Sequence, residues 1–348
     1  MNTFFRQYLP KWLVLVFLVA LAARFPYFVE KFYSRGIYVI IRNIDLFFLR
    51  WLPFSAGDLL YLLFPFWMIY RLARLPKNNK APFVEKIIWN AVWIFYLSWG
   101  LNYYRLPVAS RQSLELNGSS QTEIAFVTES LIDSLNRLHL ALQPDTNKII
   151  PLPTTADMKR NAALLYRNQA ERYPYLYQPY YVIKPSLISR AVSYLGVTGY
   201  FNPYTHEAQY NRLYPVAFRP HILLHELAHQ TGYAYENEAE YLAWQTAVEN
   251  NDKIFRYSAH LNALEYFLQY WHHADTSRWK EYKNRLFPGI RQSFDEARRF
   301  QEKYRLKVDL SRPYHYFLKI NQKGKGTESY SELMLYITAY YRKHHYIR

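Results

Sequence analysis

The sequence predicts a mainly α-helical protein with a small β-sheet, carried behind amino-terminal transmembrane helices. Three observations lead there. Apolar runs flanked by basic residues crowd the first hundred positions, and helical periodicity dominates the rest of the chain. Residues 179–214 break that pattern with short Tyr, Val and Ile runs divided by Gly196, Gly199 and Pro203, as strands are. With 51% hydrophobic and 19% aromatic content over 348 residues, a large core is within reach and disorder is excluded. The absence of cysteine removes disulfides, thiol catalysis and cysteine-ligated zinc. The formal charge of +16 is scattered, with its clusters beside apolar segments and near the carboxyl end. That distribution suits apposition to a lipid bilayer; it is not the concentrated Lys/Arg stripe with interleaved aromatics that would indicate a nucleic-acid partner.

Residues 1–106 read as a membrane anchor of about three transmembrane helices and one interfacial helix, and 107–348 as the soluble domain. The run from Trp12 to Ala23 follows Arg6 and Lys11 and is either a spanning helix or, given Ala20-Leu21-Ala22, a cleaved signal peptide. Residues 36–54 set Arg42, Asp45 and Arg50 opposite Ile and Leu, the pattern of an amphipathic helix lying at the interface. Leu59–Tyr70 and Ile87–Tyr104 supply two more apolar stretches, short enough to serve alternatively as core helices of a soluble fold. Between them Arg71, Arg74, Lys77, Lys80 and Lys86 form the most densely positive loop, which belongs on the cytoplasmic side. An odd number of spans then delivers everything after about residue 105 to the outer side. Pro107 and the polar run from Ser110 to Ser120 form the linker.

In the soluble domain, helices are expected over Glu123–His139 and Met158–Tyr173, and strands over 179–214. Glu207 to Asn211 is either a strand lining a cleft, where its backbone would pair with an extended peptide, or an ordinary sheet strand. His206, Tyr204 and Asn211 are candidate substrate-binding or oxyanion groups, with packed side chains as the alternative. Further helices follow over Ile254–His273, Trp279–Phe287, Ile290–Tyr304 and Glu332–Arg342. Gly324-Lys325-Gly326 is a turn, and the sequence contains no phosphate-binding loop.

The chemistry concentrates in His225-Glu226-Leu227-Ala228-His229. Residues four apart share a helix face, so both imidazoles can grip one metal ion while Glu226 points at whatever the metal holds. Pro220 suits the first turn of this helix and Gly232 its left-handed stop. Two histidines and a glutamate can also meet by accident in an amphipathic helix. A turn and a second helix follow at once, however, and bring Glu236, Glu238 and Glu240. The apolar stripe of Ala239, Leu242, Ala243, Thr246 and Ala247 centres on Glu236, the preferred third ligand. Glu240, one turn on, would accept a hydrogen bond from a ligand histidine. A solvated helix face is the alternative for Glu238 and Glu240. Two imidazoles and one carboxylate favour Zn2+ and leave a fourth position for water, with Glu226 as general base.

Pro53-Phe54-Ser55-Ala56-Gly57-Asp58, Trp99-Gly100-Leu101-Asn102-Tyr103, His225 to Gln230, and Glu236-Asn237-Glu238-Ala239 resemble the motifs of an uncharacterised, domain-of-unknown-function bacterial family of membrane-anchored zincin-like proteins. Tyr257-Ser258, Leu318-Lys319-Ile320-Asn321 and Ser329-Tyr330 extend the resemblance over nearly the whole chain. It implies an α+β, zincin-like catalytic domain of the gluzincin type behind three membrane helices, with Glu236 as third ligand. The function expected is a membrane-anchored zinc metallopeptidase acting on a peptide or protein substrate. It would sit in the bacterial inner membrane with its catalytic domain on the periplasmic or outer side. The rival is a non-catalytic zinc-binding sensor or envelope scaffold.

Overall fold

Pro26 sets the shape of the amino-terminal region in the computed structural model, which describes residues 2–305 and 332–347. Helix α1 (Asn2–Arg24) ends just before Phe25, which at φ −125° and ψ 64° has left the helical region, as a residue preceding proline tends to. The chain resumes through Pro26–Phe28 and a wide π-type turn, Val29–Ile37, into α2 (Tyr38–Leu49). Leu9–Arg24 and Pro26–Leu49 are bent 93° apart and together have the length and apolar character of a broken span. No single helix among the described residues is long and apolar enough to cross a membrane.

The polar face of α2 is turned the other way from the interfacial arrangement that the sequence suggests. Arg42 is buried and donates to the Gln230 carbonyl oxygen, and Asp45 pairs with His206. Ile37, Ile40, Ile44, Phe47, Phe48 and Trp51 are exposed, and of the three charged residues only Arg50 is exposed with them. Periodicity identifies two faces of such a helix but not which of them meets protein. Ser55 then caps α3 (Ala56–Arg74) by accepting the Asp58 amide, and α4 (Lys77–Ser98) follows after only Leu75 and Pro76. The basic residues expected on a loop therefore occupy two helix ends. Arg71 and Arg74 sit in the last turn of α3, where a cation complements the helix dipole, and Lys77 and Lys80 open α4. Both helices expose apolar surface, including Leu63, Phe66, Ile69, Ile88, Ile94 and Leu97.

Helices α5 (Gln121–Leu142) and α6 (Thr155–Arg172) begin at Ser120 and Thr154, each capping its helix; Ser120 and Glu123 close a reciprocal capping box. The strand region forms one sheet of three short strands, β1 (Ile183–Pro185), β2 (Gly199–Phe201) and β3 (Ala208–Tyr210), with α7 (Ser189–Tyr194) inserted. The order is β1-β3-β2. Ile183 faces Ala208 in a parallel pair, and Gly199 faces Tyr210 in an antiparallel one. The segment Glu207 to Asn211 thus holds the middle of the sheet, with hydrogen bonds on both sides, and cannot pair with an added peptide. Among the described residues the edge strand beside the cleft is β2.

Against β2 and β3 lies α8 (Arg219–Gln230), which carries the histidine pair and is enclosed by α9 (Glu236–Val248) and α10 (Lys253–Ala274). Three further helices, α11 (Thr276–Arg285), α12 (Pro288–Tyr304) and α13 (Glu332–Lys343), follow. Gly324-Lys325-Gly326, Leu318 to Asn321 and Ser329-Tyr330 lie outside the described residues.

A second apolar cluster joins the amino-terminal region to this domain. Val29, Tyr33, Tyr38, Trp99 and Tyr103 pack with Ala234, just beyond α8. Beneath it Arg105 forms a two-pronged ion pair with Glu30, at 3.0 Å from each oxygen, and stacks 3.9 Å from the centre of the Tyr233 ring. Arg111 pairs with the same carboxylate. Removing one member of a buried ion pair leaves its partner desolvated and uncompensated. Arg105→Ala is therefore expected to lower stability by about 3–5 kcal/mol, read as an earlier denaturant midpoint of the detergent-solubilised chain. An unchanged midpoint would mean that this pair holds nothing.

Candidate metal centre

Helix α8 is held at both ends by side chains from other elements. Pro220 stands in its first turn, where a missing amide hydrogen costs nothing, and Ser258 accepts the His221 amide at 3.0 Å. At the other end the Gln230 carbonyl accepts from Tyr38 Oη at 2.8 Å and Arg42 Nη1 at 3.3 Å, and the Thr231 carbonyl from Arg105 Nη1 at 3.2 Å. Gly232 turns the chain at φ +96°, and a Cβ there would stand 2.9 Å from Arg105 Nη1. The position requires glycine twice over, for its backbone and for the space its neighbour fills.

The turn so fixed brings the Tyr233 carbonyl to His229 Nδ1, 2.7 Å away, so Nδ1 carries the proton and Nε2 presents a lone pair. His225 Nδ1 lies 3.3 Å from Glu240 Oε1, which leaves its Nε2 facing the same point. The two Nε2 atoms are 3.0 Å apart, and Glu236 Oε2 lies 3.2 Å from one and 3.6 Å from the other. Three lone-pair donors in van der Waals contact repel one another unless a cation lies between them. A tetrahedral ion with bonds of about 2.0–2.1 Å separates its ligands by about 3.3 Å, so the donor set fits a metal ion. The surrounding carboxylates also draw positive charge to this point. Burial alone would favour a neutral His225 ring, yet Glu240, Glu236 and Glu226 push its pKa up to about 10. Burial likewise opposes ionisation of Glu236, but His229 and His225 hold its carboxyl well below the usual range.

Glu226 is buried beside this triad, and burial pushes its pKa up to about 7 against the pull of both imidazoles. Its Oε2 has no hydrogen-bond partner among the described residues. The backbone of β2 passes directly against it: a Cβ on Gly199 would come within 2.5 Å of Glu226 Oε1. Glycine at 199, visible in the sequence only as a break between strands, is thus what leaves room for Glu226.

Of the other residues singled out from the sequence, Glu240 reaches the site, bonding His221 Nε2 at 2.6 Å and Asn262 Nδ2 at 3.0 Å. Glu238, two residues from Glu236 and so about 200° around the helix, points away; it accepts the Val108 amide at 2.8 Å. His206 and Asn211 are not at the cleft. His206, at φ +56°, is buried between Asp45 Oδ2 at 2.8 Å and the Ser98 carbonyl at 3.1 Å, and Asn211 donates to Ser193 Oγ and the Val197 carbonyl. Tyr204 reaches the Ala91 carbonyl instead. All three brace the strand region, a use of polar side chains that sequence position alone does not separate from catalysis.

Triad and Glu226 open on a cavity of about 580 Å³. One wall is aromatic, with Phe95 and Trp99 from the end of α4, Tyr103, and Phe201 from β2; the other is polar, with Asn262, Glu265, Tyr266 and Gln269 from α10. A family model described as protein of unknown function (DUF3810) matches residues 33–338. No curated protein and no solved structure matches the chain.

Metal titration followed by elemental analysis checks the donor set. His225→Ala and His229→Ala are expected to abolish binding, and Glu236→Ala to weaken it more than Glu238→Ala or Glu240→Ala. Greater damage from Glu238→Ala would assign the third ligand wrongly.

Proposed function

The chain belongs to the DUF3810 family of proteins of unknown function, and we propose that it is a membrane-anchored zinc metallopeptidase. The observation that carries this reading is the convergence of His225, His229 and Glu236 beside a buried carboxylate, Glu226, which lines a cavity and whose Oε2 has no hydrogen-bond partner among the described residues. Two imidazoles and one carboxylate suit zinc, and no thiolate competes. When bound, zinc would supply Lewis acidity, lowering the pKa of a water molecule and polarising a carbonyl.

The rest of the chemistry falls to the protein. Glu226, nearly neutral in affinity for a proton at about pKa 7, takes the proton from the attacking water and returns it to the departing amine. Gly199 keeps that carboxylate against the cleft. The Tyr233 carbonyl fixes the His229 tautomer, and the Glu240 carboxylate lies 3.3 Å behind His225 Nδ1, held there by its hydrogen bonds to His221 and Asn262. The outer edge of β2 offers backbone groups to an extended peptide lying along the cavity. A scaffold has no use for Glu226, whose buried Oε2 lacks a hydrogen-bond partner among the described residues and so costs stability.

The exposed apolar side chains of α1, α3 and α4 support the anchor. At the end of α4, Ile94 and Leu97 face outward while Phe95 and Trp99 line the cavity. The cleft then lies about one helix diameter, ~10 Å, from the surface assigned to lipid, and substrate is met at the bilayer. The basic residues around Leu75 and Pro76 support a cytoplasmic position for that end of α3 and α4, and with it a cleft on the outer side of the inner membrane.

Glu226→Gln keeps the size of the side chain and removes its proton exchange. Zinc content and thermal stability should survive, while cleavage of a broad peptide pool falls by on the order of a hundredfold or more. A zinc-loaded wild type that cleaves nothing, or a variant as active as wild type, would favour the scaffold instead.

A further inference from the structure

One wall of the cavity is more polar than hydrolysis requires. Asn262, Glu265, Tyr266 and Gln269 are spaced i, i+3, i+4 and i+7 on α10, a single helix face, and that face is turned into the cavity. The opposite face, with Leu261, Leu264 and Phe267, is core. Asn262 is tied to the metal centre through its bonds to Glu240 and His221. Glu265 is not. Among the described residues no hydrogen bond and no ion pair reaches its carboxylate, although the chain carries 43 Lys and Arg. Burial pushes its pKa up to about 7, and the negative charge of Glu240 adds to the effect.

A half-buried carboxylate in a cavity wall, without a counter-charge, has its ionised form disfavoured in the free protein and is relieved by a cation that arrives with a ligand. We propose that Glu265 determines specificity by receiving a cationic group of the substrate, an ammonium or guanidinium carried by the peptide. The inference rests on the peptidase reading for the identity of the ligand as a peptide. Glu265 lies one turn along α10 from Asn262, about 5 Å along the axis, and an extended peptide advances about 3.3–3.6 Å per residue. The cation therefore belongs within about three residues of the scissile bond. It comes from either the substrate's own amino terminus or a Lys or Arg side chain; the aromatic wall opposite takes an uncharged residue.

The test uses the full-length, zinc-loaded chain in detergent and peptides matched in sequence. They differ in arginine against citrulline, and in a free against an acetylated amino terminus. Cleavage is followed by mass spectrometry, and binding of the same peptides to the Glu226→Gln chain by tryptophan fluorescence. Cationic peptides should be preferred by about tenfold or more, the range of a charge-assisted contact. Glu265→Gln should lose that preference, and Glu265→Lys should shift it toward peptides with a carboxylate at the same position. Sensitivity to acetylation assigns the cation to the amino terminus, and sensitivity to citrulline to a side chain; either supports the proposal. Binding of cationic peptides that depends on Glu265, without cleavage by wild type, would retain the cation site and remove the peptidase. Equal handling of cationic and neutral peptides by wild type, a preference that survives Glu265→Gln, or no binding at all would overturn it.

Discussion

The structure depends on how the carboxyl end of α8 is satisfied. A helix leaves its last carbonyls without partners, and here the region immediately beyond α8 must also deliver a carbonyl to His229 and a carboxylate to both histidines. Tyr38, Arg42 and Arg105 donate to the Gln230 and Thr231 carbonyls, all from the region before residue 107. Two are cations at the negative end of the helix dipole. Arg105 is kept in place by Glu30 and by the Tyr233 ring. The turn through Gly232 follows, then Tyr233, then the start of α9 with Glu236. Each step from Arg105 to the third donor is a few residues long, so the geometry of the triad inherits the placement of the cap.

The same logic runs through the sheet. The amides of Ala56 and Gly57, at the start of α3, donate to Glu207, which also pairs with Lys184. Asp58 accepts from the Leu187 amide and from the Tyr200 hydroxyl on β2. The Pro53 to Asp58 motif is thus the joint by which an apolar helix grips the strand that lines the cavity. Together with the α8 cap, it makes the amino-terminal region a structural part of the site as well as a tether.

What the sequence revealed follows from which features are local. The histidine pair, Glu236 and the helices α8 to α12 are encoded in spacings of three and four residues, and those were legible. Strand order was not, because β3 reaches the middle of the sheet only through a crossover that no short window records. The inward turn of Arg42 and Asp45 was missed for a related reason: amphipathicity gives a helix two faces, and only the partner decides which is buried. Phe95 and Trp99 were absorbed into an apolar run, although they line the cavity. The polar stripe of Asn262, Glu265, Tyr266 and Gln269 follows helical spacing, but Lys253, Arg256 and His260 lie on the opposite side of the same helix, so spacing alone does not single it out. Gly199 left only its identity, and its closeness to Glu226 is a fact of tertiary packing.

If the cap governs the site, a chain that begins at Val108 keeps both histidines, Glu226 and Glu236 but loses Tyr38, Arg42, Arg105 and Glu30 together. Metal stoichiometry, measured by elemental analysis on the full chain and on this truncated chain after identical zinc loading, compares the two directly. One ion per full-length chain and substantially less than one per truncated chain is the expected result. A truncated chain that binds one ion as tightly as the whole protein would contradict the dependence of the metal centre on the amino-terminal region.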